Sequence, residues 1–474
     1  MTITKTDFIA FLDAPRHLWA IKHNKLSEQE IDVFIQHLFD QGYEVEEYAE
    51  KYIQEVLIPS YGVTQNEVLI QPTFTHESFQ AITDVLIKNP ETNKWDIVEI
   101  KSTNEVKKQH KYDVTFQYLV FKENYDIGTV NILHLNKEYV REGDLNLSKL
   151  FKLSDITDKV QTLSEEVYAL RSEALATASL DSPNSIDKCI KPKECPCIQI
   201  CHPDLPEYSI YDINRFSLSV AKVRDLIEKG IESVYDVQED FPLSQMQRFQ
   251  VIVAQNGDVV IDTKQIKKDL ETVTYPLYFI DYESYNPAIP MYNGYKPFDQ
   301  MPFQWSLHIQ KEKDSKLEHF EFIETEQIDP IPNFLTQLQK HLGNTGSLVV
   351  WNKSFEGTQN KRMGEIHPQF NDFCLNMNER MYDLMEIFKK QLYADPKLKG
   401  SFSIKNVLPL LVPDLSYKGM EIAEGATAMI SWYEMVYGNG NKVITEANLL
   451  KYCELDTMAM VRIFEKLIVK SEFV

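Results

Sequence analysis

The tightest constraint on how this chain folds is a short run of cysteines. Cys189, Cys195, Cys197 and Cys201 fall within thirteen positions of KCIKPKECPCIQIC, whereas Cys374 and Cys453 stand alone. Six cysteines in 474 residues are too few for a disulfide scaffold, and in a cytosolic chain such a cluster reads as a metal site. Four thiolates spaced Cys-x5-Cys-x-Cys-x3-Cys suffice to close a tetrahedral Zn2+ or to hold a 4Fe-4S iron–sulfur cluster. From about Glu173 the composition turns to small residues and then to this Pro- and Lys-bearing run, so the segment reads as a connector.

Different α/β patterns lie on either side of it. Before it, residues 1 to about 60 place apolar residues at three- and four-residue intervals, as in IDVFIQHLFDQGYEVEEYAEKYIQEVL, and predict helices. FQAITDVLI and WDIVEIKST then read as strands, Lys111 to Phe121 as a helix, and TVNILHLN as a further strand. After the cysteines come short helices over about 205–265. There the phrase LIEKGIESVYDV reads either as a hairpin gripping a phosphate backbone through its turn or as a packing turn. From Tyr275 strands YPLYFIDYES, FQWSLHIQ and HFEFIE precede helix IPNFLTQLQKHLG, strand SLVVWN and a last helix from about Ile444 to Val469. The expected fold class is therefore α/β, divided 1–172, 173–270 and 271–474 with a helical, cysteine-bearing middle. No stretch of about 18 apolar residues suggests a spanning helix. The start MTITKTDFIAFLDAPRHLW lacks a basic region followed by an apolar run. The expectation is a cytoplasmic protein with no membrane partner.

Charge narrows the function classes. Lys and Arg number 49 against 71 Asp and Glu, a formal net charge of −22. A generic polyanion binder draws its affinity from many Lys and Arg, so broad coating of nucleic acid is excluded. Carboxylates gathered where divalent ions neutralise them remain compatible with a nucleic-acid substrate.

Two sets of acids fit that description. In ITDVLI, Asp84 interrupts an apolar strand; fifteen residues on, IVEIKS puts Glu99 and Lys101 on one strand face. Two carboxylates and a lysine at the ends of adjacent strands can hold a divalent cation beside a phosphate, although a solvent-facing strand edge gives the same spacing. In the second half, FIDYES sets Asp281 and Glu283 on one face of a strand with apolar flanks, where two uncompensated carboxylates would cost several kcal/mol each. LVVWNKSFE then brings Asn352, Phe355 and Glu356 at a strand-to-helix junction, and KYCELD places Tyr452 and Asp456 four apart on a helix. Asp383 and Lys405 lie between these motifs, either lining the site or acting as a helix cap and a solvated lysine. Trp305 and Trp351 read as core.

The order helix with Glu47, strand with Asp84, strand with Glu99-x-Lys101, and helix with Gln117 and Phe121 resembles the RecB-type PD-(D/E)XK nuclease superfamily. That resemblance implies Mg2+ or Mn2+ at Asp84 and Glu99 with Glu47 contributing, a catalytic Lys101, and Gln117 placing the DNA. Glu44, Glu46 and Glu50 compete with Glu47 for its slot. Lys107, Lys108 and Lys111 form a local basic stretch that suits a phosphate track, or a solvated loop. Cluster-bearing members of that superfamily also supply an early cysteine, followed by proline; here the slot in FLDAPRHLW holds Ala14. The implied consequences are that Cys197 replaces the missing ligand, that the cluster is incomplete, or that zinc has taken it over, and that the staple between the first helix and the connector is lost.

The order Asp281-x-Glu283, then Asn352-x3-Glu356, then Tyr452-x3-Asp456 resembles the DnaQ-like 3′–5′ exonucleases of the RNase H-like fold, in their tyrosine variant. The resemblance implies two ions about 3.5–4 Å apart on the four acids, with Tyr452 orienting the attacking water. Glu356 stands where that family more often has Asp. The whole arrangement is similar to a bacterial family joining a RecB-type half, a cysteine segment and a DnaQ-like half. It implies a nucleic-acid processing enzyme, and the leading expectation is a metal-dependent nuclease with two active sites that hydrolyses phosphodiester bonds in nucleic acid, DNA being favoured over RNA, on ends or single strands. The alternatives are one live site beside a degenerate nucleic-acid platform, and a non-catalytic, metal-stapled scaffold.

Overall fold

Strand alternation and one parallel crossover build the first half of the computed structural model, which describes residues 1–26, 32–216 and 219–472. Strands β1 (Val68–Ile70), β2 (Val85–Lys88), β3 (Trp95–Lys101), β4 (Ile127–Leu135) and β5 (Phe151–Asp155) form one sheet in that order. Only β3 and β4 run parallel, so they need a crossover, which helix α4 (Lys108–Phe121) supplies. The chain enters through α1 (Lys5–Asp13), α2 (Pro15–Lys22) and α3 (Val33–Tyr52), and leaves through α5 (Thr157–Ala178). Because neighbouring strand residues face opposite ways, Ile97, Val130 and Ile132 pack with Phe8, Phe116 and Val160, while Val98, Leu133 and Leu135 pack with Val45, Ala49 and Tyr52. Both faces of the sheet are thereby covered.

Two expectations change here. FQAITDVLI is not one strand: Phe79–Ile82 pairs with Thr73–His76 and Ile3–Thr4 in a separate three-stranded sheet, and the chain returns to the main sheet only at Val85. Asp84 sits at the crossing, and its Oδ2 accepts the Ile100 N–H of β3 at 2.7 Å. A polar side chain there caps a backbone donor that a continuous strand would have paired. The expected boundary after residue 172 also falls inside α5. The chain divides instead into residues 1–205 with 287–299, and 206–286 with 300–474. The cysteine segment therefore belongs to the first unit.

In the second unit the strand carrying Asp281 and Glu283 is central. Strands β6 (Leu277–Tyr285), β7 (Met301–Gln310), β8 (Glu318–Ile323), β9 (Ser347–Val350) and β10 (Met381–Asp383) are ordered β8-β7-β6-β9-β10. β7 runs antiparallel to both β8 and β6, and β6, β9 and β10 run parallel. Helices α6 (Lys353–Ile366), α7 (Gly425–Val436) and α8 (Lys442–Glu472) complete the part that matters for chemistry. Trp305 is fully enclosed, as expected of core, and Trp351 donates its ring N–H to the Phe402 carbonyl at 3.0 Å. The LIEKG phrase is a helix, Val220–Glu228, closed by Gly230 at φ +73.

The turn into β9 leaves no room for a side chain. Gly346 has φ +86, and a Cβ there would lie 2.1 Å from the Pro276 carbonyl oxygen. Gly346→Ala would have to strain its own backbone, at about 1–3 kcal/mol, and push β9 away from β6 as well. Urea unfolding is expected to show at least that loss of stability, with the m-value unchanged.

Candidate active and metal sites

The first acid set is organised by salt bridges to lysines. Glu99 is buried at 1% exposure on β3, with Oε1 2.8 Å from Lys5 Nζ and 2.9 Å from Lys101 Nζ. Lys101 also reaches Asp113 Oδ2 at 2.5 Å, and Asp113 Oδ1 accepts from Gln117 Nε2 at 3.0 Å. A relay thus runs Gln117, Asp113, Lys101, Glu99. Burial works against the charge on Lys101, but Glu99 and Asp113 hold its ammonium above the ordinary lysine range. Burial and the neighbouring Glu99 charge push Asp84 up to about 7, while Lys101 and Lys5 outweigh burial to keep Glu99 low. Glu99 Oε2 is buried with no hydrogen-bond partner. One oxygen of this carboxylate is committed to ammonium groups and the other is free for a cation.

Several sequence expectations shift at this site. Gln117 is fully buried and serves Asp113, so it offers no surface to DNA. Glu47 is exposed on α3, and the helix face that lines a cavity of about 350 Å³ beside Asp84 carries Glu46 and Glu50 instead. Lys107 stands at the N-cap position of α4, its backbone N–H donating to His110 Nδ1 at 3.2 Å, and is exposed, as is Lys108; Lys111 is half-buried one turn on. Lys5 and Asp113 were not singled out in the sequence. Neither lies in a motif, and only the packing of α1 and α4 against β3 brings them in.

The second acid set depends on a polar row under α8. On β6, Asp281 pairs across the sheet with Ser306 and Glu283 with Gln304, so all four share one face with His308. Helix α8 is fastened to that row: Gln304 Nε2 donates to the Leu449 carbonyl at 2.8 Å, and Thr457 Oγ1 lies 2.8 Å from both Ser306 Oγ and His308 Nδ1. These bonds fix the rotation of α8 and set Tyr452 and Asp456 over the acids. One oxygen from each of Asp281, Glu283 and Asp456 lies within 4.8 Å of the other two. Asn352, Phe355, Glu356, Lys405 and Tyr452 line the same cavity of about 280 Å³.

Electrostatics in this cavity are unfavourable without a cation. Burial first, then Asp456 and the other acids, push Asp281 and Glu283 well above the carboxylate range. Burial pushes Glu356 up to about 8, and Glu356 Oε2 is buried without a partner. Burial raises Asp456 to about 6, moderated by Tyr417, whose hydroxyl donates to Asp456 Oδ1 at 2.5 Å, and by Lys405. Lys405 faces the cavity, its Nζ 5.5 Å from the Tyr452 ring and 5.6 Å from the Tyr417 ring. Tyr417 is a second tyrosine that the sequence reading did not identify. Asp383 takes the capping role, accepting from the Lys353 and Met385 N–H groups.

The cysteine site gains a ligand from the other end of its unit. His17 on α2 places Nε2 3.3 Å from Cys195 Sγ, across 178 residues of sequence. Donor atoms of His17, Cys195, Cys197 and Cys201 lie within 4.8 Å of one another. This Cys3His group can hold a metal ion. Cys189 lies outside that set of four; its Sγ accepts from the Lys191 N–H at 3.3 Å. Asp13 Oδ2 sits 2.7 Å from His17 Nδ1, the outer carboxylate that orients a ligating imidazole. The staple expected to be lost with Ala14 is present in another form. His17 reaches the thiols three residues later, and Arg16 donates to the Ile186 and Ile200 carbonyls at 2.7 and 3.0 Å. Hydrogen bonds from Cys195 and Cys197 hold the Cys201 thiolate low, whereas its neighbours' thiols are raised. A cation would let the remaining thiols ionise together.

Two outcomes follow. With Zn2+ reconstituted at the cysteine site, Asp13→Asn should weaken binding about 10–100-fold, read by competition with a chromophoric chelator; unchanged affinity would place His17 outside the coordination set. The second concerns pH. Carboxyls raised to about 6, 7 and 8 at Asp456, Asp84 and Glu356 stay protonated in the fold while the unfolded chain ionises near pH 4. The folded state then binds more protons, so metal-free stability falls as pH rises through that window. Mn2+ favours the ionised acids and should raise the melting temperature more at pH 8 than at pH 5. Equal gains at both values, by calorimetry, would detach the effect from these groups.

A family model described as a domain of unknown function (DUF2779) matches residues 278–403, which include Asp281, Glu283 and Glu356. The chain is 28% identical over 299 residues to the uncharacterized protein UU173 of Ureaplasma parvum serovar 3, covering 55% of this chain and 41% of that protein. It is 25% identical over 207 residues to the uncharacterized protein MG366 of Mycoplasma genitalium, covering 39% of this chain and 31% of that one. The chain thus matches less than half the length of these curated relatives. A solved structure titled "Crystal structure of SSO0001" aligns over 36% of this chain and 76% of its own at 13% identity, with a TM-score of 0.22. These are the proteins and the domain to which the chain is similar.

Proposed function

We propose that the chain is a metal-dependent nuclease that hydrolyses phosphodiester bonds in DNA, with one candidate active site in each unit. The observation that carries the reading is the convergence of Asp281, Glu283 and Asp456 within 4.8 Å, in a cavity shared with Glu356, Tyr452 and Lys405. Buried like charges at that spacing have little structural use, and the partnerless Glu356 Oε2 adds an acceptor for a cation. Mg2+ or Mn2+ bound there would supply Lewis-acid stabilisation of the phosphoryl oxygens and acidify water. Asp281, Glu283, Asp456 and Glu356 would hold the ions. Tyr452 would orient the attacking water, and Lys405 would meet the negative charge of the phosphate. A central acid-bearing strand, flanked by antiparallel strands on one side and parallel strands on the other, supports an RNase H-like, DnaQ-type reading of this unit.

In the first unit, Asp84 and the free Glu99 Oε2 would take the cation and Lys101 would steady the phosphate, in the manner of a PD-(D/E)XK site. Lys101 is held protonated between Glu99 and Asp113. It would therefore act as a fixed positive charge and not as a general base. The cysteine site is read as structural, holding Zn2+ or a 4Fe-4S cluster. The His17 imidazole favours Zn2+, and a colourless preparation would agree with that.

The test is cleavage of end-labelled single- and double-stranded DNA and RNA, with Mg2+, Mn2+ or EDTA. Wild type should cut DNA only with metal. Asp281→Asn and Lys101→Ala should each lower the rate of their own site by roughly a hundredfold or more, the scale of several kcal/mol of charge stabilisation. No cleavage under any metal overturns the proposal. Loss of all activity through one substitution, with the other neutral, leaves a single active site.

A further inference from the structure

His308, His319 and Glu454 form a cluster that the proposed chemistry does not use. His308 on β7 and His319 on β8 are direct cross-strand partners, and their rings stack with centroids 4.4 Å apart. Glu454 comes from α8, and one donor atom from each of the three residues lies within 4.8 Å of the other two. Cross-strand pairing brings the two Cβ atoms within about 5.5 Å. The pair is thus preset to offer two imidazoles toward the helix above it.

The surrounding hydrogen bonds allow one consistent placement of the protons. Thr457 Oγ1 donates to the Glu454 carbonyl at 3.0 Å, so it accepts from His308 Nδ1 at 2.8 Å and from Ser306 Oγ at 2.8 Å. Ser306 Oγ, having given its proton to Thr457, accepts from His319 Nε2 at 3.0 Å. Each imidazole thereby carries its proton on the nitrogen facing the Ser/Thr network. The bare nitrogens are Nε2 of His308 and Nδ1 of His319, the latter 3.7 Å from Glu454 Oε1. That distance is too long for a hydrogen bond, and two acceptors face each other across it. A cation placed between them would satisfy both.

We propose that His308, His319 and Glu454 bind a borderline transition-metal ion of the Zn2+ class, separate from the hard-cation acids and from the cysteine site. Two imidazoles and one carboxylate select such an ion over Mg2+, and three protein ligands leave a coordination position to water. Thr457 and Ser306 are the outer partners that fix the ring orientations. Glu454 is half-exposed, with 47% of its side chain accessible, which gives the ion an entry path. Bound there, the ion would clasp edge strand β8 to α8, the helix that carries Tyr452 and Asp456.

The test is zinc content after equilibrium dialysis of the full chain. The cysteine site is loaded beforehand, millimolar Mg2+ covers the acids, and free Zn2+ is held at low micromolar. His319→Gln and Glu454→Gln change half-exposed side chains, and circular dichroism checks their folding. Wild type should hold one zinc equivalent more than either variant, and its melting temperature should rise with Zn2+ while theirs stay flat. Retention of the extra equivalent by either variant overturns the proposal, as does a wild type that binds none beyond the preloaded site. Because the readout is metal content and not cleavage, it stands or falls apart from the nuclease reading.

Discussion

Burial of like charges is the constraint around which the second unit is built. Asp281, Glu283, Glu356 and Asp456 line one cavity; burial raises all four toward their protonated forms, and repulsion from neighbouring acids of the set adds to it at Asp281 and Glu283. Something must force them together, and that is the clamp of α8 on the sheet. Gln304, Ser306 and His308 form a polar row on β7, and the helix engages it through the Leu449 carbonyl and Thr457. Each such bond contributes only about 1 kcal/mol net. Their directionality matters more, since a rotated helix would leave buried donors and acceptors unpaired at a larger cost.

The first unit handles the same problem with ammonium groups. Lys5 and Lys101 share one oxygen of Glu99, and Asp113, itself held by Gln117, fixes the far side of Lys101. Glu99 remains ionised in a nearly solvent-free place, whereas at Asp84 burial and the Glu99 charge outweigh the two lysines and push the carboxyl up to about 7. Splitting the two carboxylates this way leaves one charged oxygen ready and one proton to release when a cation arrives. The cysteine site shows a third arrangement, in which one thiolate is held low by its neighbours and Asp13 orients the imidazole.

Much of the candidate chemistry was legible in the sequence because strand and helix periods dictate which neighbours share a face. Asp281 with Glu283, Glu99 with Lys101 and Tyr452 with Asp456 are each two or four residues apart, and those spacings survive any tertiary arrangement. Groups joined by no such period were not legible. His17 meets Cys195 across 178 residues. Lys5, Asp113 and Tyr417 stand in no motif, and Gln117 reads as a DNA contact until its burial is known. The strand FQAITDVLI failed for a related reason. Apolar alternation identifies extended chain but does not say which sheet it joins, and here the chain changes sheets at Thr83–Asp84.

The net charge of −22 is the same number before and after folding, but its meaning depends on placement. The sequence by itself determined the α/β class, the order of the acid pairs and the presence of a thiol cluster, because composition and local periodicity act within a few residues. Tertiary structure alone decided that His17 completes a Cys3His set, that Glu46 and Glu50 and not Glu47 line the cavity beside Asp84, and that His308, His319 and Glu454 meet. Those outcomes depend on helix rotation and strand pairing between distant segments. Packing and hydrogen-bond complementarity over whole surfaces set them, and no local pattern encodes that.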